Sequence, residues 1–268
     1  MSGLIALHGG GEFLAGDEPF LAAWLAAAAG QGGGSHGSGY GGSRHDGEGD
    51  GREGDGVLRV AIVPTAAARG RPDLVGAHGT SAIERVAAEM GLAVEVRVVA
   101  ILDRSDADDP ELAAALSTSH AIHLPGGDPD LIPTVFAGTA AAAALRDALG
   151  GGAAVAGASA GAMALATWTW TPGGGMPGLD LLPTPLVVMP HADAASWDDA
   201  RRRFGTGLPA ELGILGLGER TGVLIELGGR TRWSVAGEGE VRWVPPGGDQ
   251  THPNVFRSGD SFDPRTGV

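Results

Sequence analysis

The sequence predicts an α/β fold with a doubly wound, mostly parallel sheet flanked by helices and a small C-terminal β portion. Three observations carry this expectation. Short strand-like runs alternate with helix-patterned segments as far as residue 166. The strand-like runs are apolar nearly throughout, as strands covered on both faces are. Several of them stop at glycine-rich turns, the edge where open α/β sheets bind ligands.

In chain order, Leu4-Ile5-Ala6-Leu7-His8 reads as a short buried strand running into Gly9-Gly10-Gly11-Glu12. No G-x-G-x-x-G spacing and no Walker lysine follow, so close backbone packing near a site suits these glycines better than a nucleotide cradle. Asp17-Glu18-Pro19 opens an alanine-rich helix reaching Ala29, with acids and proline in its first turn. Residues 30–56, about half glycine, lack the apolar surface to offset the entropy of ordering, which predicts a flexible surface insertion with His36 and His45 as solvated residues.

A β-branched strand over 57–63 closes at Pro64-Thr65. Ile83, Val86, Ala87 and Met90 stand at i, i+3, i+4 and i+7, predicting a helix from residue 80 or 81 to 90 that stops at Gly91. A strand over 94–102, a short helix opened by Asp109-Pro110-Glu111 and a fourth strand over 121–124 come next, the last ending at Pro125-Gly126-Gly127-Asp128. A helix over 131–149 leads through three glycines into the small apolar strand before Ser159.

Beyond it the sequence predicts a Pro/Gly loop over 171–178, a strand over 186–189 ending at Pro190-His191, and a solvated helix face over 198–203 from which an arginine can meet a substrate carboxylate. Strands over 214–218, 222–227, 231–235 and 240–244 make up the C-terminal β portion. A polar, mobile tail over 247–268 follows, so residues 1–246 form one hydrolytic domain.

Composition narrows the chemistry. The formal charge is −14 and all 18 basic residues are arginine, which disfavours nucleic acid and anionic membranes as partners. No run of 18 apolar residues exists, and Leu4 to Leu7 passes straight into His8 and glycines without a signal-peptide pattern, so a cytoplasmic location is expected. The chain has no cysteine. That removes disulfides, thiolate metal sites and a cysteine nucleophile, and any covalent intermediate then falls to serine or threonine. No metal or cofactor is expected.

Gly157-Ala158-Ser159-Ala160-Gly161 has the form of a nucleophile elbow: small neighbours let the backbone fold back sharply and leave the serine exposed at a helix N-terminus. The pattern alone is weak. With 48 Gly in 268 residues, chance supplies about 0.4 such matches, and Gly33-Gly34-Ser35-His36-Gly37 is one with no strand or helix around it. What separates Ser159 from that accident is the Gly126-Gly127 turn at the same sheet edge, where backbone N–H groups from two strands can flank one carbonyl.

A serine needs a base and a carboxylate to orient it. His36, His45 and His252 sit in the insertion or tail, His120 and His123 point to opposite faces of one strand, and His8 reads as a core histidine. His191 emerges from the strand after the elbow. Two orders are open: serine, acid, histidine, using Asp193 or Glu219 with His252; or Ser159, His191, Glu219 on successive strand ends.

The string Gly-Ala-Ser-Ala-Gly-Ala at 157–162, with Leu-Pro-Gly-Gly-Asp at 124–128 before it and Pro-His at 190–191 after it, resembles the dipeptidase E and cyanophycinase family of serine peptidases. Leu217-Gly218-Glu219-Arg220-Thr221, Gly9-Gly10-Gly11-Glu12 and Val63-Pro64-Thr65 fit as well, while Pro129 and Gly218 depart from the family pattern. The likeness covers most of the chain apart from insertion and tail. It implies a class I glutamine amidotransferase-like, flavodoxin-like sheet in which serine replaces the usual cysteine. It also implies Ser159 as nucleophile, His191 as base, Glu219 as orienting acid, the N–H groups of Gly127 and Ala160 as oxyanion hole, and Gly126 and Asp128 as substrate contacts. The expected reaction is hydrolysis of an amide in a short peptide. The alternatives are an esterase or small-amide hydrolase, or a non-catalytic binding homologue. The expected partners are a small peptide and, at most, a second copy of the chain in a homodimer.

Overall fold

The computed structural model describes residues 3–32, 56–193, 195–204, 208–209, 211–228 and 232–267. The order is β1 (Leu4–His8), α1 (Glu18–Gly32), β2 (Leu58–Ile62), α2 (Pro72–Glu89), β3 (Val94–Val98), α3 (Arg104–Ala107), α4 (Pro110–Ser117), β4 (Ala121–Leu124), α5 (Leu131–Phe136), α6 (Ala140–Gly150), β5 (Ala154–Ala158) and α7 (Ala160–Leu165). Then come β6 (Trp168–Thr171), β7 (Gly174–Pro177), β8 (Leu186–Met189), α8 (Trp197–Phe204), β9 (Gly213–Leu217), β10 (Thr221–Glu226), β11 (Trp233–Gly237), β12 (Glu240–Val244), β13 (Asn254–Arg257) and β14 (Ser261–Phe262).

The strands form an eight-stranded sheet, β14-β11-β10-β1-β5-β4-β2-β3, and a six-stranded sheet, β13-β12-β9-β8-β6-β7. In the larger sheet β1, β5, β4, β2 and β3 are parallel, and β10, β11 and β14 extend it antiparallel beyond β1. The doubly wound expectation holds for this parallel part. Alternate residues serve opposite faces: Leu4, Ala6, Val60 and Ile62 pack with Leu21, Trp24, Ile83 and Val86 of α1 and α2. Ile5, Leu7, Ala61 and Val155 pack with α4 to α7 and with Leu215 and Trp243 of the smaller sheet. Burial on both faces is why these strands are apolar throughout.

Several boundaries differ from expectation, each for a local reason. The alanine-rich helix runs on to Gly32; the insertion beyond it, with Ser35, His36 and His45, lies outside the described residues. α2 begins at Pro72 rather than residue 80, because proline suits the first helical turn and Asp73 follows it. The single helix expected over 131–149 is two, since Gly138 takes φ 71° and the Thr139 side chain accepts from Ala142 N–H to cap α6. The strand expected over 94–102 stops at Val98, and Asp103 caps α3.

The loop expected over 171–178 is the β6–β7 hairpin. The C-terminal β portion is divided, β9 and β12 joining the smaller sheet and β10 and β11 the larger. Residues 247–268, expected as a mobile tail, contribute β13 beside β12 and β14 beside β11. Phe262 is buried there against Trp233 and stacks on Phe256 with ring centroids 4.0 Å apart. Two aromatics spaced six apart in a polar stretch carry no periodicity, so the pairing was not legible. No described helix is long and apolar enough to cross a membrane.

Candidate active site

β1 and β5 run parallel in a register that sets His8 beside Ala158, so Ser159 leaves the sheet next to the glycines that follow β1. It does so with φ 49° and ψ −114°. A non-glycine residue in that region carries about 1–2 kcal/mol of strain, which surrounding contacts must offset. The helix behind it can approach because Gly161 has no side chain; a Cβ there would lie 1.9 Å from the Leu124 carbonyl oxygen.

Of the four other described non-glycine residues with positive φ, two belong to this site, His191 at φ 54° and Arg220 at φ 55°. All three are held by consecutive carbonyls of one segment. Ser159 N–H donates to His8 O at 2.9 Å, His191 N–H to Gly9 O at 2.9 Å, and Arg220 N–H to Gly10 O at 2.8 Å. Ser159 comes from the larger sheet, His191 from the end of β8 and Glu219 from the end of β9 in the smaller sheet. The segment after β1 therefore ties the two sheets together at the point where the three side chains meet.

They meet in hydrogen-bonding order. Ser159 Oγ lies 3.0 Å from His191 Nε2, and His191 Nδ1 lies 3.1 Å from Glu219 Oε1. A Cβ on Gly10, whose φ is 120°, would stand 2.2 Å from His191 Cε1, so only glycine leaves room for the ring. The His191 and Glu219 side chains are 50% and 59% exposed. A contact so open to water contributes little stability; its effect is to fix the ring's orientation. The site is open to water.

Beside Ser159 lies the Gly126-Gly127 turn. The N–H groups of Gly127 and of Ala160, the first residue of α7, have no hydrogen-bond acceptor among the described residues. Gly126 N–H is turned elsewhere, donating to Glu12 Oε1 at 2.7 Å. In the sequence Glu12 marks only the end of a glycine run. A Cβ on Gly126 would sit 2.9 Å from that carboxylate oxygen and 3.1 Å from Ser159 Cβ, so Glu12 reaches the immediate surroundings of Ser159. No periodicity could have found it, since its role depends on a contact 114 residues away in sequence. Asp128 N–H donates to Ala66 O at 2.7 Å, tying the turn to the segment after β2. Its carboxylate faces Arg69 at 3.5 Å, while Arg69 grips Asp130 at 2.8 Å. That hydrogen-bonded guanidinium holds the Asp130 carboxyl below its usual range.

The other candidates lie apart. His252 is exposed and sits 2.9 Å from Asp249, and Asp193 accepts from Ser196 N–H, so neither completes an alternative triad. Arg201 and Arg202 pair with Asp198 and Asp199 on α8. His8 is fully buried, with Nε2 3.0 Å from Asp17, while Asp17 accepts from Phe13 N–H at 2.8 Å; this pair anchors the glycine segment from beneath. His123 is buried among Phe13 and Trp24, and burial first, then the nearby His8, push its imidazole down to about 3. Among the described residues no group of three or more His, Asp or Glu side chains is placed to hold a metal ion. A cavity of about 380 Å³ lined by Arg146, Leu149, Leu182 and Leu227 lies at the opposite end of β1, where Leu227 N–H meets Gly3 O.

Comparison with known proteins bears on the family and the fold. The model of peptidase family S51 matches residues 50–230, a span that includes Ser159, His191 and Glu219 but not the segment after β1. No curated protein matches the chain. Among solved structures, a peptidase from an acI-B1 Actinobacterium is similar with a TM-score of 0.73 at 21% identity, covering 98% of this chain and 97% of its own. A protein provisionally assigned as a peptidase E, from Listeria monocytogenes EGD-e, is similar with a TM-score of 0.55 at 14% identity, covering 89% of this chain and 99% of its own. At these identities the two likenesses concern the fold.

Proposed function

Because the chain belongs to peptidase family S51, we propose that Ser159, His191 and Glu219 hydrolyse an amide bond of a short peptide through an acyl-enzyme. The observation that carries this reading is the hydrogen-bonded sequence from Ser159 Oγ to His191 Nε2 at 3.0 Å and from His191 Nδ1 to Glu219 at 3.1 Å. With Glu219 accepting from Nδ1–H, the imidazole is held in the tautomer whose Nε2 is free to take the serine proton. Ser159 Oγ attacks the peptide carbonyl carbon as its proton passes to Nε2. The carbonyl oxygen gains negative charge and is received by the N–H groups of Gly127 and Ala160, which need no reorganisation to donate.

Collapse of the tetrahedral intermediate breaks the C–N bond, and the imidazolium returns its proton to the leaving amine. Water, deprotonated by the same histidine, then releases the acyl group and restores the serine. The open site, with half-exposed His191 and Glu219, admits the end of a small peptide without unfolding a larger one. Gly126 and Asp128 line the approach to the turn. A panel of dipeptides, aminoacyl amides and short esters tests the proposal. It expects peptide hydrolysis that Ser159→Ala abolishes while the thermal melt is kept; unchanged peptidase activity in that variant refutes it, and turnover of esters alone assigns the site to ester chemistry.

A further inference from the structure

The cavity of about 380 Å³ at the far end of β1 from Ser159 combines an apolar interior with two charges of opposite sign. Leu149, Leu181, Leu182 and Leu227 supply apolar wall, and Arg146 and Asp180 are exposed beside it. Its size is at the small end of small-molecule sites, which are mostly apolar with a few placed polar groups.

Both charges are held in place. Arg146 Nη1 donates to Ala142 O at 3.3 Å and Nη2 to Leu179 O at 3.0 Å, which leaves most of the guanidinium's N–H donors unused by these contacts. Asp180 follows that second carbonyl and takes a left-handed φ of 51°, a conformation aspartate tolerates better than most side chains. Its Oδ1 accepts from Thr167 Oγ1 at 2.8 Å, and Oδ2 is left over. Among the described residues neither Arg146 nor Asp180 has an ion-pair partner.

We propose that this cavity binds a free α-amino acid with an apolar side chain of leucine's kind, its carboxylate on Arg146, its ammonium on Asp180 and its side chain against the leucines. A guanidinium fork matches a carboxylate, and burial against the leucine walls adds the apolar contribution. A simple fatty carboxylate leaves its own charge facing Asp180, and an alkyl amine meets Arg146; a zwitterion satisfies both. The wall is also joined to the helix that follows Ser159. Leu179 N–H donates to Ala164 O at 2.7 Å, Asp180 N–H to Ala166 O at 3.1 Å and Leu181 N–H to Leu165 O at 3.1 Å. Occupancy therefore stiffens the segment 179–181 and the last turn of α7 to which it is bonded. The site needs no catalysis to be filled. The peptide hydrolysis proposed above releases ligands of this class, and that link alone rests on the peptidase reading.

Isothermal titration of the full chain with L-leucine to about 10 mM tests this, because so small a ligand binds with a Kd of about 0.1 to 1 mM. Glycine, 4-methylpentanoate and 3-methylbutylamine each lack one of the three features and bind at least about tenfold more weakly. Arg146→Gln and Asp180→Asn each weaken leucine by about tenfold or more, with melting temperature checked for both. Asp180→Asn keeps the oxygen that Thr167 bonds and a residue type suited to positive φ. Hydrogen exchange at the amides of Leu179, Asp180 and Leu181 slows several-fold with leucine present. No leucine binding at the highest concentration overturns the proposal. So does equal binding of 4-methylpentanoate or 3-methylbutylamine, or unaltered exchange at 179–181. Leucine binding that is indifferent to R146Q and D180N in folded chains assigns the ligand to another place and overturns it as well. None of these readouts uses turnover: a chain that binds leucine here but cleaves no peptide keeps this inference and loses the peptidase reading, and an active peptidase that binds none does the reverse.

Discussion

Replacing Gly10 by alanine tests whether the glycine segment after β1, rather than the triad side chains alone, sets the catalytic geometry. The added methyl would lie 2.2 Å from His191 Cε1, 2.8 Å from Nδ1 and 3.0 Å from Nε2. Carbon atoms pack at about 3.5 Å or more, so the ring or the backbone must retreat by about 1 Å. The bonds to Ser159 and Glu219, now 3.0 and 3.1 Å, would then pass beyond hydrogen-bonding range. The φ of 120° adds about 1–3 kcal/mol of strain for a residue with a Cβ. A displacement of this size at a reacting group costs about 10² in rate, or about 2.7 kcal/mol of barrier. The assay is the second-order rate of Ser159 labelling by a fluorophosphonate beside kcat/KM on the best peptide, with a thermal melt to show that the variant folds. Gly10→Ala that folds and is labelled at the wild-type rate would refute the reasoning.

Two further outcomes follow from contacts at or beneath the site. Glu12→Ala frees Gly126 N–H and loosens the turn that presents Gly127, lowering kcat/KM by about tenfold or more, whereas Glu12→Gln keeps an oxygen acceptor and stays within a few-fold, as kinetics on both variants will show. For His123, the unfolded chain binds a proton near pH 6.5 while the native chain resists it until about 3. The native state's advantage is therefore complete above pH 6.5 and is lost by about 1.4 kcal/mol per pH unit as pH falls from there toward 3. Urea unfolding across this window should show that slope, and His123→Phe, which keeps a ring against Phe13 and Trp24, should flatten it by one proton; an unchanged slope contradicts the assignment.

The parallel strands were legible because burial on both faces leaves an uninterrupted apolar run, and the elbow because its backbone demands small residues at fixed offsets. Ser159, His191 and Glu219 stood out as candidates because each follows an apolar strand, but the strand ends alone left an order ending at His252 open, and the resemblance to the peptidase family made the choice. That His191 and Glu219 arrive from a second sheet was not legible, since pairing between distant strands leaves no local mark: β10 returns to pair with β1 although it follows β9 directly in the chain. The start of α2 was obscured by Gly76 and Gly79, which interrupt the helical pattern where the helix lies against Val98, Ile62 and Phe13. Glu12 and the carbonyls of His8, Gly9 and Gly10 act through tertiary contacts alone. The glycines around them signalled close packing but not what was packed.

The most direct test of the central claim is where an electrophile lands. Intact-mass and peptide mapping after fluorophosphonate treatment should find one adduct per chain, on Ser159, formed at least about 10² faster in the wild type than in folded His191→Gln. A folded wild-type chain that takes no adduct, takes it at another residue, or is labelled no faster than the His191 variant would contradict the account.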